Sequence, residues 1–418
     1  AGGFDLHSAC AVAGSEDLDE YAILEVLDAL VRKSLLVADR SAGRTRFAML
    51  ETIRQFAEDQ LVAGGAATEV RAAHSRYFAG RGADIMALWD SPRQREAYDW
   101  FTVELANLRT AFRWAADQGD LDAAAAIATY GGWLGVGVQI YEPIAWAEEL
   151  IEPAGAVDHP RLAFLYVMVS LCYMTGRIEA AVRYCDAGQI VLGRSREALP
   201  YGIEVALGVA YLAIGQPERL AEWCRTQLAR RRDTHVYIRG WLVAALSVAG
   251  SGGEAMDSAD GLIEAAEATG NPLFLGWALG AYGVAFRDAD PVGALNALGR
   301  GLVIAQDSGN RSRASILAAA LADLRPSTAT PCPRSITSLW QSATTTMRAT
   351  PRRSASRWPA SPLFSTGSDA TNRQPPSPGS PSVPSPQRES PRSPPRSPTS
   401  AMSSARRPTN RSPARVRR

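Results

Sequence analysis

Chemistry in this chain of 418 residues would be sought first at its four histidines, its five cysteines and one glycine-rich run. His7, His74, His159 and His235 stand far apart, with no His-Glu-x-x-His pattern and no cysteine at ligand spacing, so a metal site has no support. Cys10, Cys172, Cys185, Cys224 and Cys332 form neither a C-x-x-C pair nor an even framework, and read as reduced, buried thiols. Gly131-Gly132-Trp133-Leu134-Gly135-Val136-Gly137 lies in a helical context without a preceding strand. A loosened helix or turn accounts for it better than a dinucleotide loop. A phosphate-cradling G-x-x-x-x-G-K-[ST] loop needs a lysine, and the single one, Lys33, follows Val31-Arg32 on a helix, which excludes ATP hydrolysis by that route.

Glu148, Glu149 and Glu152 read as three acids on one helix, and consecutive glutamates on a helix are more often a solvated face than a general acid and base. Ser8, Ser34 and Ser170 have no nucleophile-elbow context. No catalytic, cofactor-binding or metal-binding residue is therefore expected. Aromatic side chains are dense in the middle of the chain, and two readings of them stay open: packing in a core, or a partner-binding concave face. Trp133, Tyr141, Trp146, Tyr173 and Tyr211 are the candidates for the second.

The elements that would position these groups are helical. From Tyr21 to Leu36 the residues Ile23, Leu24, Leu27, Leu30, Val31 and Leu35 recur at helical spacing, with acids in front and Arg32 and Lys33 behind, complementing the helix dipole. Leu35 to Ala38, a polar turn with Gly43, and Thr45 to Leu50 predict a short β-hairpin, and Glu51 to Leu61 a second helix. Helix, wing and helix outline a winged-helix module. That second helix carries one basic residue, Arg54, against three acids, so repulsion from phosphate disfavours DNA contact and favours packing against a neighbouring domain.

From Val70 to Gln118 the pattern is helical again. After Gly119 a unit recurs in which an apolar helix stops at glycine and an alanine-rich helix follows, at Gly119, Gly176, Gly215, a degenerate turn at Gly253, and Asp288 to Leu295. A period near 38–39 residues predicts stacked helical hairpins of the tetratricopeptide type.

Residues 1–324 hold 28 basic and 41 acidic side chains, a net of −13, while residues 325–418 hold 16 and two, a net of +14. An acidic body gives no electrostatic reason for nucleic acid on the folded part. The last stretch takes 18 of the 26 prolines and lacks a periodic apolar pattern, so it is expected to be disordered. Two readings compete for it: a natural basic linker, or translation in a shifted frame. Codons can be chosen for Thr366–Gln374, and from Arg325, such that a one-nucleotide shift restores repeat-like turns, which favours the frame break. The absence of a signal peptide and of an apolar run of about 20 residues points to the cytoplasm. Ala1-Gly2-Gly3-Phe4 reads like the interior of a domain, so a missing start is expected.

Three segments together resemble a known family: Ala1 to Leu6, Leu27-Asp28-Ala29-Leu30-Val31-Arg32-Lys33-Ser34-Leu35, and Phe47-Ala48-Met49-Leu50-Glu51-Thr52-Ile53-Arg54-Gln55-Phe56-Ala57. With Asn107-Leu108-Arg109-Thr110-Ala111-Phe112-Arg113-Trp114 they are similar, in order, to the stretch that follows the NB-ARC nucleotide-binding module in bacterial STAND regulators. The resemblance covers about residues 1–324. It implies an upstream module that binds and hydrolyses ATP, a winged helix packed against that module, and a repeat region that senses a ligand or partner. Many members end in a LuxR-type helix-turn-helix that binds DNA, and some begin with a class III adenylate cyclase. ATP and DNA are thus implied for a parent protein and not for this chain.

The expectation is a mostly α fold: a small winged-helix domain (1–68), a helical connector (69–118), a TPR-like helical solenoid (119–324) and a disordered tail (325–418). The expected function is a non-catalytic sensor or scaffold segment of a LuxR-family STAND transcriptional regulator, with a protein or small-molecule effector on the repeats, the NB-ARC module as partner, and no membrane. The alternatives are the regulatory segment of a STAND-linked class III adenylate cyclase and a stand-alone protein-interaction scaffold.

Overall fold

The computed structural model describes residues 2–14, 19–40, 45–194, 198–230 and 235–324. The expected disordered or frame-shifted tail, and Cys332 with it, lie outside the described residues.

Chain order opens with β1 (Phe4–Asp5), α1 (Leu6–Ala13) and α2 (Glu20–Arg32), then β2 (Val37–Asp39), β3 (Arg46–Ala48) and α3 (Glu51–Ala63). Asp5 caps α1 through the Ser8 amide at 2.8 Å, and Asp19 caps α2 through the Ala22 amide at 2.9 Å. The apolar spacing of α2 turns Ile23 and Leu27 onto Leu36 and Phe47, a small core in which each side chain is worth about 1.5–3 kcal/mol of burial. The three strands are antiparallel in the order β1-β3-β2, with Phe4 opposite Phe47 and Val37 opposite Ala48. The winged helix is thus present with a strand and a helix, β1 and α1, that the hairpin signal did not predict. Two residues of extended chain are too few to show period-two patterning.

Next come α4 (Ala67–Gly80), α5 (Gly82–Trp89) and the long α6 (Gln94–Asp117). Charge and amide contacts join the winged helix to α6: Arg46 Nη1 donates to Glu104 Oε1 at 2.6 Å, and Asn107 Nδ2 to the Gly3 carbonyl at 2.8 Å. Beyond Gly119 follow α7 (Leu121–Gly137), α8 (Glu142–Glu149), α9 (Ile151–Ala156), α10 (Leu162–Ser170) and α11 (Ile178–Arg194). Then come α12 (Ala206–Ala213), α13 (Pro217–Arg230), α14 (Val236–Val248), α15 (Gly252–Ala259), α16 (Leu262–Thr269) and α17 (Pro272–Ala285). The last hairpin is α18 (Pro291–Asp307) and α19 (Arg311–Leu324).

Helical hairpins repeat, and their two helices differ for a physical reason. The first helix of each, α10, α12, α14 or α17, is apolar nearly all round because neighbours wall it on both sides; the second is amphipathic, with one face in solvent. Glycines at φ of +70°, +85° and +71° stand at stops the sequence implied: Gly119 after α6, Gly176 beyond α10 and Gly215 after α12. The fourth stop is Gly250 at +81°, not Gly253, which lies inside α15. Gly176 to Gly215 is 39 residues and Gly215 to Gly250 is 35.

The array does not stay open. Its last elements return to the connector: Arg95 donates to the Gln306 and Asp307 carbonyls, and Asn271 Nδ2 to Asp90 Oδ1 at 2.7 Å. Gln139 Nε2 meets Ser315 Oγ at 3.1 Å. Trp89, fully buried, anchors this closure, with the rings of Trp133, Tyr201 and Phe274 edge-on at 5.7, 5.3 and 6.0 Å.

Candidate ligand cavity

Because the inner helices are apolar on all sides and the ring of hairpins returns on itself, a half-open cavity with room of about 70 Å³ for water-sized groups lies where α6, α7, α12, α14, α17 and α19 converge. Its wall is aromatic. Trp241 and Trp277 lie 4.2 Å apart between ring centres, Tyr237 is 5.7 Å from Trp277, and Trp133 stands edge-on to Tyr237 at 6.2 Å. Tyr98, Tyr173, Asn310 and Arg313 also line it.

Glycine makes this packing possible. A Cβ on Gly240 would stand 2.6 Å from the Trp277 ring, one on Gly137 2.4 Å from Tyr98, and one on Gly280 1.9 Å from Arg313 Nη2. The glycine-rich run is accordingly regular helix through Gly137, not a loosened one, and its glycines admit Met168, the Ile140 carbonyl and Tyr98.

Arg313 is the unusual group. It is 5% exposed, its guanidinium carbon lies 3.7 Å from the Trp277 ring centre, and its Nε and Nη2 donate to the Gly276 carbonyl at 3.2 and 3.0 Å. No carboxylate among the described residues pairs with it, and the cavity wall contains no Asp or Glu. Burial pushes the guanidinium down to about 9, so it is still a cation at neutral pH. A buried cation without a counter-charge carries a desolvation penalty of several kcal/mol. Tyr98 Oη accepts from Trp89 Nε1 at 3.1 Å and Asn310 Nδ2 at 3.0 Å, and burial raises its hydroxyl pKa. The Asn310 carboxamide oxygen in turn accepts the Arg313 amide at 2.8 Å.

The aromatic candidates divide. Trp133 and Tyr173 are brought together in the cavity wall. Trp146 is fully buried and stacks on Phe112 at 5.0 Å and 11°, a core position with no face for a partner. Tyr211 is also buried; its hydroxyl donates to Asp186, and the Arg219 guanidinium covers its ring at 3.8 Å. Tyr141 is half-buried against the main core, away from the cavity wall. Among the lining residues that were missed are Tyr98, Tyr237, Trp241, Trp277, Asn310 and Arg313. One signal existed for three positions, because Gly132-Trp133, Gly240-Trp241 and Gly276-Trp277 repeat the same dipeptide on inner helices.

Elsewhere the histidines do separate work: His159 Nε2 pairs with Asp122 at 2.9 Å, and His235 caps α14. Cys172, Cys185 and Cys224 are buried free thiols that burial pushes up, Cys172 to about 11 and Cys185 to about 12. Glu148 and Glu149 end α8 while Glu152 lies on α9, so the three acids do not share one helix. Instead of facing solvent alone, Glu148 pairs with Arg177 and Glu149 with Arg113, linking successive hairpins. Within the winged helix, α2 bears on the charge argument as well as the Glu51 helix. It carries Glu20, Glu25 and Asp28 against Arg32, with Tyr21 and Leu24 exposed. Among the described residues no helix is long and apolar enough to cross a membrane.

Comparison with known proteins agrees with the first part of this architecture. A family described as a winged helix-turn-helix domain matches residues 1–62. The chain is 37% identical over 153 residues to proteins of Mycobacterium tuberculosis (strain H37Rv) and Mycobacterium bovis whose names designate them HTH-type transcriptional regulators. It is also 37% identical over 78 residues to a second M. tuberculosis protein, named as uncharacterized, covering 18% of this chain and 20% of that one. The first match takes in 36% of this chain and 17% of the relative, so the chain spans only a small part of the curated relatives' length. Residues 1–62 are a winged helix-turn-helix domain, and the chain that carries it is a partial relative of HTH-type transcriptional regulators.

Proposed function

We propose that this chain is the non-catalytic sensing segment of a transcriptional regulator of the LuxR-type STAND group, in which the helical array takes an effector and the winged helix transmits its binding to an NB-ARC nucleotide module. The carrying observation is that the aromatic cavity is walled by α6 and α7 from the start of the array and by α19 from its end. A ligand there gains contacts only when the ring is closed, and this difference in affinity between two states is what a conformational response requires. The chain needs no cofactor of its own; ATP belongs to the module of the parent protein. Exposed Tyr21 and Leu24 on acidic α2 suit a protein neighbour better than a phosphate backbone.

A second reading, direct DNA binding through α2, is favoured by the winged helix-turn-helix match. One experiment separates the two: nucleotide turnover and duplex-DNA anisotropy of the purified chain across a salt series. The sensing reading expects no ATP hydrolysis above the buffer rate and no salt-dependent DNA affinity in a chain truncated at Leu324. DNA binding that survives this truncation and weakens steeply with salt establishes the second reading.

A further inference from the structure

We propose that the aromatic cavity binds a short-chain monocarboxylic acid, its carboxylate on Arg313 and Tyr98 and its apolar chain between Trp277, Tyr237 and Trp133. The inference rests on reading the cavity as an effector site and names the ligand's chemistry.

Polarity inside the cavity runs one way. Arg313 commits Nε and Nη2 to backbone carbonyls, while Nη1 has no hydrogen-bond partner among the described residues. The Tyr98 oxygen already accepts two hydrogen bonds, and its own proton has no described acceptor. Both groups are at least nine-tenths buried, and Asn310 bridges them by bonding to each. The wall thus offers donors and a positive charge and no anion to balance them. A carboxylate supplies both missing parts, accepting charge-assisted hydrogen bonds and neutralising a cation that is costly when alone. Aromatic boxes also suit ammonium ligands, but the guanidinium over Trp277 repels a second cation. A phosphate dianion needs more than one positive group, and Arg313 is the one charged side chain in the described wall.

Size narrows the class. At about 10–15 Å³ for each water-sized group, the cavity of about 70 Å³ takes roughly five to seven non-hydrogen atoms. That is the size of propionate, butyrate or a small oxo-acid held in the inner part of a cavity whose mouth is half open. Access follows the ring closure, because Arg313 and Asn310 belong to the hairpin that returns to α6.

The test is calorimetric titration, thermal melting and hydrogen exchange of the full 418-residue chain with sodium butyrate, butyramide, butylammonium and inorganic phosphate. Butyrate should bind and raise the melting temperature, and the neutral isostere butyramide should bind at least about tenfold more weakly. Arg313→Met gives up the hydrogen bonds to the Gly276 and Trp277 carbonyls but also the desolvation cost of an uncompensated cation, so it should fold, yet lose at least about tenfold in butyrate affinity. If that variant does not fold, Gly280→Ala displaces the guanidinium without removing it and should show the same loss.

Equal binding of butyramide or phosphate, or full butyrate affinity in a folded Arg313→Met, would overturn the proposal. Butyrate binding with unchanged hydrogen exchange in α6 and α19 would leave the acid site standing and remove the sensing function. Protection of the ring by butyramide alone would keep the sensor and remove the acid.

Discussion

Asn310 donates its carboxamide hydrogen to the hydroxyl oxygen of Tyr98 at 3.0 Å, joining residues 212 positions apart. Through this bond the last helical hairpin is held on the connector, and the cavity gains wall residues from both. Trp89 donates to the same oxygen, so three elements share one buried polar atom.

Removing that atom tests the closure. Tyr98→Phe leaves the Trp89 indole N–H and the Asn310 amide without their acceptor, and a buried donor left unsatisfied costs about 1–3 kcal/mol. Urea unfolding should show a loss of that order, with faster hydrogen exchange in α19 than in α10. A loss below about 0.5 kcal/mol would mean that ring packing alone holds the ends together.

The glycines of the inner helices give a paired prediction. Gly137→Ala places a methyl 2.4 Å from the Tyr98 ring, and overpacking of this kind costs about 1–3 kcal/mol. Gly299→Ala on α18 meets nothing within 4 Å and should stabilise by about 0.5–1 kcal/mol through helix propensity. Chemical denaturation of both variants checks the pair, and equal effects would contradict the packing account.

Arg46 and Glu104 form the charged joint between wing and connector. Glu104 is 5% exposed, so Arg46→Ala strands a buried carboxylate that retains, among the described residues, Asn107 as its side-chain hydrogen-bond donor. Breaking one side of a buried pair costs about 3–5 kcal/mol, less here because Arg46 is a quarter exposed. Limited proteolysis should then cut between the winged helix and α4 ahead of the helical array. Unchanged cleavage would show that apolar contacts suffice at this joint.

A pH dependence follows from His74, on α4 against the winged helix, where burial pushes the imidazolium down to about 4 from an ordinary 6.5. The unfolded chain takes up a proton near pH 6.5 that the folded chain resists until about pH 4. Stability from this residue is therefore complete above about pH 6.5 and lost as pH falls toward 4, on the order of 3 kcal/mol at the lower end. Unfolding measured from about pH 7 to about pH 4.5 should weaken in the wild type and flatten in His74→Phe. An identical slope in the two proteins would remove His74 as the cause.

Much of the fold was legible because it is local. The apolar spacing of Ile23 and Leu27, the glycines at 119, 176 and 215, and the alanine-rich helices that follow them each act within a few residues, which is the range over which a sequence pattern is readable. The winged helix was recognisable for the same reason, although its first strand was too short to announce itself. The sequence by itself also determined the separation of an acidic body from a basic, proline-rich end.

The cavity was decided only by tertiary structure. Trp133, Trp277 and Arg313 lie on helices far apart in sequence, and nothing in their spacing says which inner faces meet once the array curves. That meeting depends on close approaches permitted by Gly240 and Gly280, and on a ring closed by single hydrogen bonds such as that of Asn310 to Tyr98. Burial turned Trp146 and Tyr211 from candidate contact residues into core and made an ordinary arginine the most polar feature of an apolar site. Long-range packing is a sum over many weak contacts, and no short window of sequence contains it.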